Sequence, residues 1–210
     1  MKVFSKFLAI VIFISVFTSC NKDETDNGEE EQYNSIVLSR KTTFGEDWIY
    51  FSFSTGTELS EIDNTNYATN TDWDIAFNRY NVRTNGGTSG TGQAAVIDLG
   101  EVSFDSVTLA PENGYSEDTT IQIVESLNIP NPPIMIDSTG NTTFIGIFEV
   151  PTGPGTLGYT PNNHIYVVKT QDGKYVKIHF TSFFNNSGDS GFINFKYFYQ
   201  VDGSKNLTSN

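Results

Sequence analysis

Few side chains in this chain are equipped for chemistry. Beyond the initiating methionine it holds two histidines, His164 and His179, and one methionine, Met135. Imidazole and thioether are donors for a transition metal rather than for magnesium or calcium. His179 lies in Val176-Lys177-Ile178-His179-Phe180. There Val176, Ile178 and Phe180 take the core face of a strand, so His179 shares the outer face with Lys177 and Thr181 and reads as a surface histidine. His164 follows Tyr159-Thr160-Pro161-Asn162-Asn163 at the mouth of a strand, where loop residues are placed to bind. Met135 ends a proline-stiffened loop. Among the acids, Asp72 and Asp74 point the same way along one strand, and pairing with Arg79 or Arg83 is their expected use. Asp137 and Glu149 have no partner that spacing can name. The loop Gly86-Gly87-Thr88-Ser89-Gly90-Thr91-Gly92 lacks the lysine and following helix of a phosphate-binding loop. No acid–base pair or activated nucleophile emerges, and the expectation is a binding protein rather than an enzyme.

The elements that must hold these residues are strands. In Asp72 to Asn78, Trp73, Ile75 and Phe77 alternate with Asp72, Asp74, Ala76 and Asn78, the two-residue period of a half-buried sheet. Further runs are Ile36-Val37-Leu38, Trp48 to Phe53, Trp73 to Val82, Val102 to Leu109, and Ile121 to Val124. Thr142 to Val150, Ile165 to Lys169, Tyr175 to Phe184 and Phe192 to Val201 follow. Asp172-Gly173 is a hairpin turn between two of them. No window of helical period interrupts the series. The predicted fold is a single all-β domain, an antiparallel sandwich or open barrel, over residues 35–204, with a tail at 205–210.

Two loops between the strands suit a ligand. Asn128-Ile129-Pro130-Asn131-Pro132-Pro133 is stiffened by three prolines and ends in Ile134-Met135-Ile136. Val150-Pro151-Thr152-Gly153-Pro154-Gly155-Thr156-Leu157-Gly158-Tyr159 is rigid and rich in small residues. Stiff loops bearing apolar groups lose little entropy on binding a flat hydrophobic molecule.

The chain's beginning reads as an address. Lys2 and Lys6 precede an apolar run, Phe7 to Ile14, too short to cross a bilayer comfortably. Phe17-Thr18-Ser19-Cys20 then reads as a lipobox around the one cysteine of the chain. Residues 1–19 are expected to be a lipoprotein signal peptide, and Cys20 the lipid attachment point. Six acids against one lysine in residues 21–32 make residues 20–34 an acidic, flexible tether. Loss of residues 1–19 takes two lysines from a chain of net charge −13 and leaves −15. Such a surface is wrong for nucleic acid, whose phosphates demand a basic face. The absence of any cysteine after Cys20 excludes disulfides and thiolate metal sites.

The block Trp73-Asp74-Ile75-Ala76-Phe77-Asn78-Arg79-Tyr80-Asn81-Val82-Arg83-Thr84-Asn85, with its glycine-rich sequel, resembles the signature of the HmuY family. Trp48-Ile49-Tyr50-Phe51-Ser52-Phe53-Ser54 is similar to a second family strand, and the resemblance spans about residues 40–200. It implies a haem-scavenging surface lipoprotein of Bacteroidetes, anchored in the outer membrane. It would pass haem or a related tetrapyrrole to a TonB-dependent haem transporter. The Lys22-Asp23-Glu24 stretch resembles the export signal of such lipoproteins. In the family the iron donors, His or Met, come from the middle-segment loop and from just before the Gly-Pro-rich loop. Met135 matches the first region, as metal donor and haem contact, and His164 is a second candidate haem contact. Val150 falls where a histidine would stand, and valine cannot coordinate iron. A surface lipoprotein of the same fold that binds a host protein or a glycan is the alternative.

Overall fold

The computed structural model describes residues 33–149 and 158–208, so Cys20, most of the tether and Val150 lie outside the described residues. The strands, in chain order, are β1 (Asn34–Val37), β2 (Ile49–Ser52), β3 (Thr57–Leu59), β4 (Ile75–Asn78), β5 (Asn81–Thr84) and β6 (Ala95–Asp98). Then follow β7 (Thr119–Ser126), β8 (Ile134–Gly140), β9 (Phe148–Glu149), β10 (Thr160–Pro161), β11 (Ile165–Lys169), β12 (Tyr175–Phe184) and β13 (Ser190–Gln200). The described residues hold no α-helix, only 3-10 turns at Phe104–Ser106 and Thr142–Phe144. All pairings between named strands are antiparallel. A five-stranded sheet runs β1-β13-β12-β11-β6, a four-stranded sheet β3-β2-β4-β5, and β7-β8 forms a separate ribbon. This is the expected all-β sandwich.

Alternation builds the main core between the two large sheets. Ile49, Phe51, Ile75, Phe77 and Val82 from the four-stranded sheet meet Tyr166, Val168, Val176, Ile178, Phe180, Phe195 and Tyr197 from the five-stranded one. Edge-on aromatic contacts bind the layers, Phe51 to Phe195 at 5.4 Å and Phe77 to Phe180 at 6.3 Å between ring centres. Both sheets are also covered on their outer faces. Trp48, Tyr50, Trp73, Ala76 and Ile123 form one outer cluster. Phe104, Val107, Ile165, Val167 and Leu207 form the other.

This second covering changes several expectations. Trp73 is fully buried as predicted, but it packs with Tyr50 and Tyr67 in the outer cluster and not beside Ile75 and Phe77. The face assigned to solvent around Lys177 is interior as well. Lys177 is buried, its ammonium donating to the carbonyls of Phe104 and Val107 at 3.1 and 3.2 Å. His179 on that face is half-buried, and burial, with the Lys196 charge, lowers its pKa. The expected tail also joins the fold. Leu207 is buried, its amide bonded to the Thr108 carbonyl.

The expected single strand Trp73 to Val82 is two strands joined by a turn at Arg79-Tyr80, with Asn78 facing Asn81. Arg79 takes a left-handed φ of 52°, rare for a residue with a long side chain. The expected strand Val102 to Leu109 contains a 3-10 turn, and the start of Thr142 to Val150 contains the other. The stretch Ile134-Met135-Ile136, read as a loop end, begins β8.

Candidate ligand-binding cleft

The turn at Arg79-Tyr80 is the first wall of a cleft of about 570 Å³. Tyr80 and Val82 line it from this hairpin, Ile121 from β7, and Phe144, Ile145 and Phe148 from the segment entering β9. Polar edges come from Asn81, Thr120, Gln122, Asn141 and Thr142. Among the described residues no charged side chain belongs to this wall, although the chain as a whole has a net charge of −13. A volume between about 300 and 1,000 Å³ with apolar walls and a few neutral polar groups is what small-molecule sites present.

Each wall is anchored in packed structure. Phe144 is buried against Tyr166 at 5.0 Å and Phe180 at 5.8 Å, and Phe148 against Phe183 at 5.1 Å. Asn141 ties the Thr142–Phe144 turn to β5. Its amide donates to the Val82 carbonyl at 2.9 Å, and its side chain caps the Thr143 amide at 3.0 Å. The Asn141 side chain also donates to Asp118 at 3.0 Å.

Asp118 is the hub beneath this corner. Its carboxylate accepts from the Thr84 amide and hydroxyl at 2.8 and 2.7 Å, and from the Ser89 hydroxyl at 2.6 Å. Burial pushes its pKa up against these hydrogen bonds. The glycine loop folds around the same carboxylate: a Cβ on Gly87 would collide with the Asp118 backbone, and one on Gly86 with that of Ala94. The loop is a close-packed support, not a ligand cradle. Nothing in the polar run around Asp118 distinguishes it in the sequence, because its partners are assembled only by the fold.

The arginines hold rings rather than acids, which corrects the expected pairing with Asp72 and Asp74. Arg83 lies over the Trp48 ring at 3.6 Å and the Tyr67 ring at 4.4 Å, and donates to the Tyr50 hydroxyl at 3.3 Å. Arg79 faces the rings of Phe44 and Phe183 and donates to the Tyr159 hydroxyl at 2.9 Å. It thereby fixes the turn that carries Tyr80, whose ring lies 6.3 Å from that of Tyr159. Asp74 turns to the Phe53 amide at 2.8 Å instead.

The sequence-predicted donors stand apart from the cleft wall. Met135 sits on β8 opposite Val124, half exposed on the ribbon. His164 enters β11 and pairs through Nδ1 with Asp98 at 2.8 Å. The two occupy different sheets and are not brought together. Asp137 contacts the Gln122 side chain, and Glu149 is exposed on β9. Among the described residues no three His, Cys, Asp or Glu side chains converge as a metal site.

The HmuY protein family matches residues 45–197, most of the chain. The chain belongs to the HmuY family. Solved structures agree with that assignment in fold. The apo HmuY analog of Tannerella forsythia superposes with a TM-score of 0.63 at 21% identity, over 83% of this chain and 99% of that one. A structure from Bacteroides vulgatus described as a candidate HmuY-like heme-binding protein gives 0.61 at 25% identity, over 79% and 90%. A candidate lipoprotein from Bacteroides fragilis gives 0.58 at 20% identity, over 82% and 92%. No curated protein in the comparison matches the chain. In this HmuY-family chain the matched region includes every wall of the cleft.

Proposed function

We propose that this chain is a non-catalytic capture protein for haem or a related tetrapyrrole, taken up in the cleft beside Tyr80. The observation that carries the reading is the cleft itself: uncharged, apolar, core-anchored, about 570 Å³ in volume, in a chain of the HmuY family. The description of the Bacteroides vulgatus relative as heme-binding points the same way. A lipid on Cys20 would hold the protein at the outer face of the outer membrane, in keeping with the lipoprotein description of the Bacteroides fragilis structure. From there cargo would pass to a TonB-dependent haem transporter. Titration of haemin into the purified protein, followed in the Soret region, tests the reading. A saturable change at about one haemin per chain is expected, and a spectrum equal to that of free haemin throughout would defeat it.

A second reading has its own observation. Leu127, Ile129, Ile134 and Met135 are exposed together around the end of the β7-β8 ribbon, Ile129 at 84%. Exposed apolar groups gathered in one place mark interaction sites, and a host protein or glycan could dock there. A binder of that kind leaves the haemin spectrum unchanged.

A further inference from the structure

We propose that the cleft holds a tetrapyrrole by its faces and edge, without an axial bond to the metal, so that the metal-free macrocycle is a ligand on equal terms with haem. The inference rests on the capture reading above and names the ligand class more closely.

It follows from where the possible iron donors are. Haem iron is held by His, Met, Cys or Tyr side chains. Among the described residues of the cleft wall, only Tyr80 carries one of these groups. Burial raises the pKa of its phenol, with Tyr159 adding to the effect, so the side chain presents a neutral phenol to the cleft. Tyr159, whose ring lies 6.3 Å from that of Tyr80, is not among the lining residues, and its hydroxyl accepts from the Arg79 guanidinium at 2.9 Å.

The remaining donors are placed elsewhere. His164 is engaged with Asp98 on β6. His179 belongs to the sheet face turned to Lys177, and both its ring nitrogens are buried. Met135 faces Val124, whereas the cleft takes Thr120, Ile121 and Gln122 from the same ribbon. Val124 stands two positions from Gln122, the nearest of these, about 7 Å at the rise of an antiparallel strand, and Met135 is not among the residues that line the cleft. What the cleft offers is the aromatic and aliphatic surface of Tyr80, Phe144, Phe148, Ile121 and Ile145, with neutral polar groups at the rim. Such surfaces contact the macrocycle whether or not a metal fills its centre.

The test titrates haemin, by absorbance, and metal-free protoporphyrin IX, by its fluorescence, into the same purified protein and into Met135→Ala, His164→Ala and Ile145→Glu variants. Dissociation constants of the two ligands are expected to agree within about threefold. Met135→Ala and His164→Ala should leave the bound-haemin spectrum unaltered in both oxidation states. Ile145→Glu places a carboxylate at the exposed mouth of the cleft, where the native side chain is 73% exposed and its replacement leaves the core intact. It should weaken both ligands by about tenfold or more. Haemin bound at least about tenfold more tightly than the metal-free ring, or a bound spectrum that changes in either donor variant, overturns the inference and leaves the capture reading standing. Binding of neither ligand removes the capture reading and the inference with it.

Discussion

Two hairpins of this molecule meet at one cleft and are built in opposite ways. Every residue of β4 is buried, and β5 is buried except for Asn81 at its start. In β7 and β8 only Ile123 and Gly140 are buried. The first hairpin is packed on both faces, between the main core and the Trp48-Tyr50-Trp73 cluster. The second lays one line of side chains on that cluster and leaves the rest to solvent. The residues that carry the family resemblance therefore fix the scaffold, while the cleft wall borrows one edge from each hairpin. Rigidity at Tyr80 and accessibility at Ile121 together give a preformed slot that is still open.

Breaking the first hairpin should cost most. Trp73→Ala removes a fully buried indole and the bond from its Nε1 to the Tyr67 carbonyl at 2.9 Å. A loss of about 3–5 kcal/mol is expected, read as a lower denaturation midpoint; an unchanged midpoint would contradict the assignment of this side chain to the outer core. Asp118→Ala comes next, at about 2–4 kcal/mol, because buried donors on Thr84, Ser89 and Asn141 lose their common acceptor. Asp118→Asn should recover part of that loss, since one acceptor oxygen remains.

Asp74 provides a pH-dependent version of the same comparison. Burial raises its pKa from 3.8 to about 6, with the Asp172 charge adding to the rise and the Phe53 amide opposing it. The folded state then holds the proton more tightly than the unfolded state. Its contribution to stability is fully present below the unfolded pKa, declines as pH rises toward about 6, and is gone above that. At about 1.4 kcal/mol per pKa unit this amounts to roughly 3 kcal/mol across the window. Asp74→Asn should abolish that slope in denaturation midpoints measured between the two pKa values. A slope that survives the substitution would assign it to another group. Smallest of all, Met135→Ala on the open ribbon should change stability by no more than about 0.5 kcal/mol, and a larger loss would mean that the second hairpin is packed more like the first.

Much of the fold was legible because alternation and turn chemistry are local. The hairpin turning at Asp172-Gly173 joins β11 and β12 as expected, with Gly173 at a positive φ of 86°. The twofold burial of the sheets was not legible. A lysine and a histidine on alternate positions look solvated until a 3-10 turn supplies carbonyls above them, as Phe104 and Val107 do for Lys177. The turn at Arg79 was hidden because nothing but tertiary packing, from Tyr159 and the rings of Phe44 and Phe183, recommends a left-handed arginine. The cleft was not visible: none of its described lining residues lies in the two loops expected to hold a ligand. Met135 and His164 stand out in the sequence by their donor chemistry, whereas the cleft walls are ordinary apolar residues that come together only when three separate segments converge.

The central claim is that the slot beside Tyr80 is where cargo binds. Haemin titration of wild type against Ile145→Glu, with folding of both checked by circular dichroism, tests it most directly. The account predicts saturable binding to wild type and affinity reduced by about tenfold or more in the variant. Equal affinity in two equally folded proteins would place the ligand elsewhere on the molecule and contradict it.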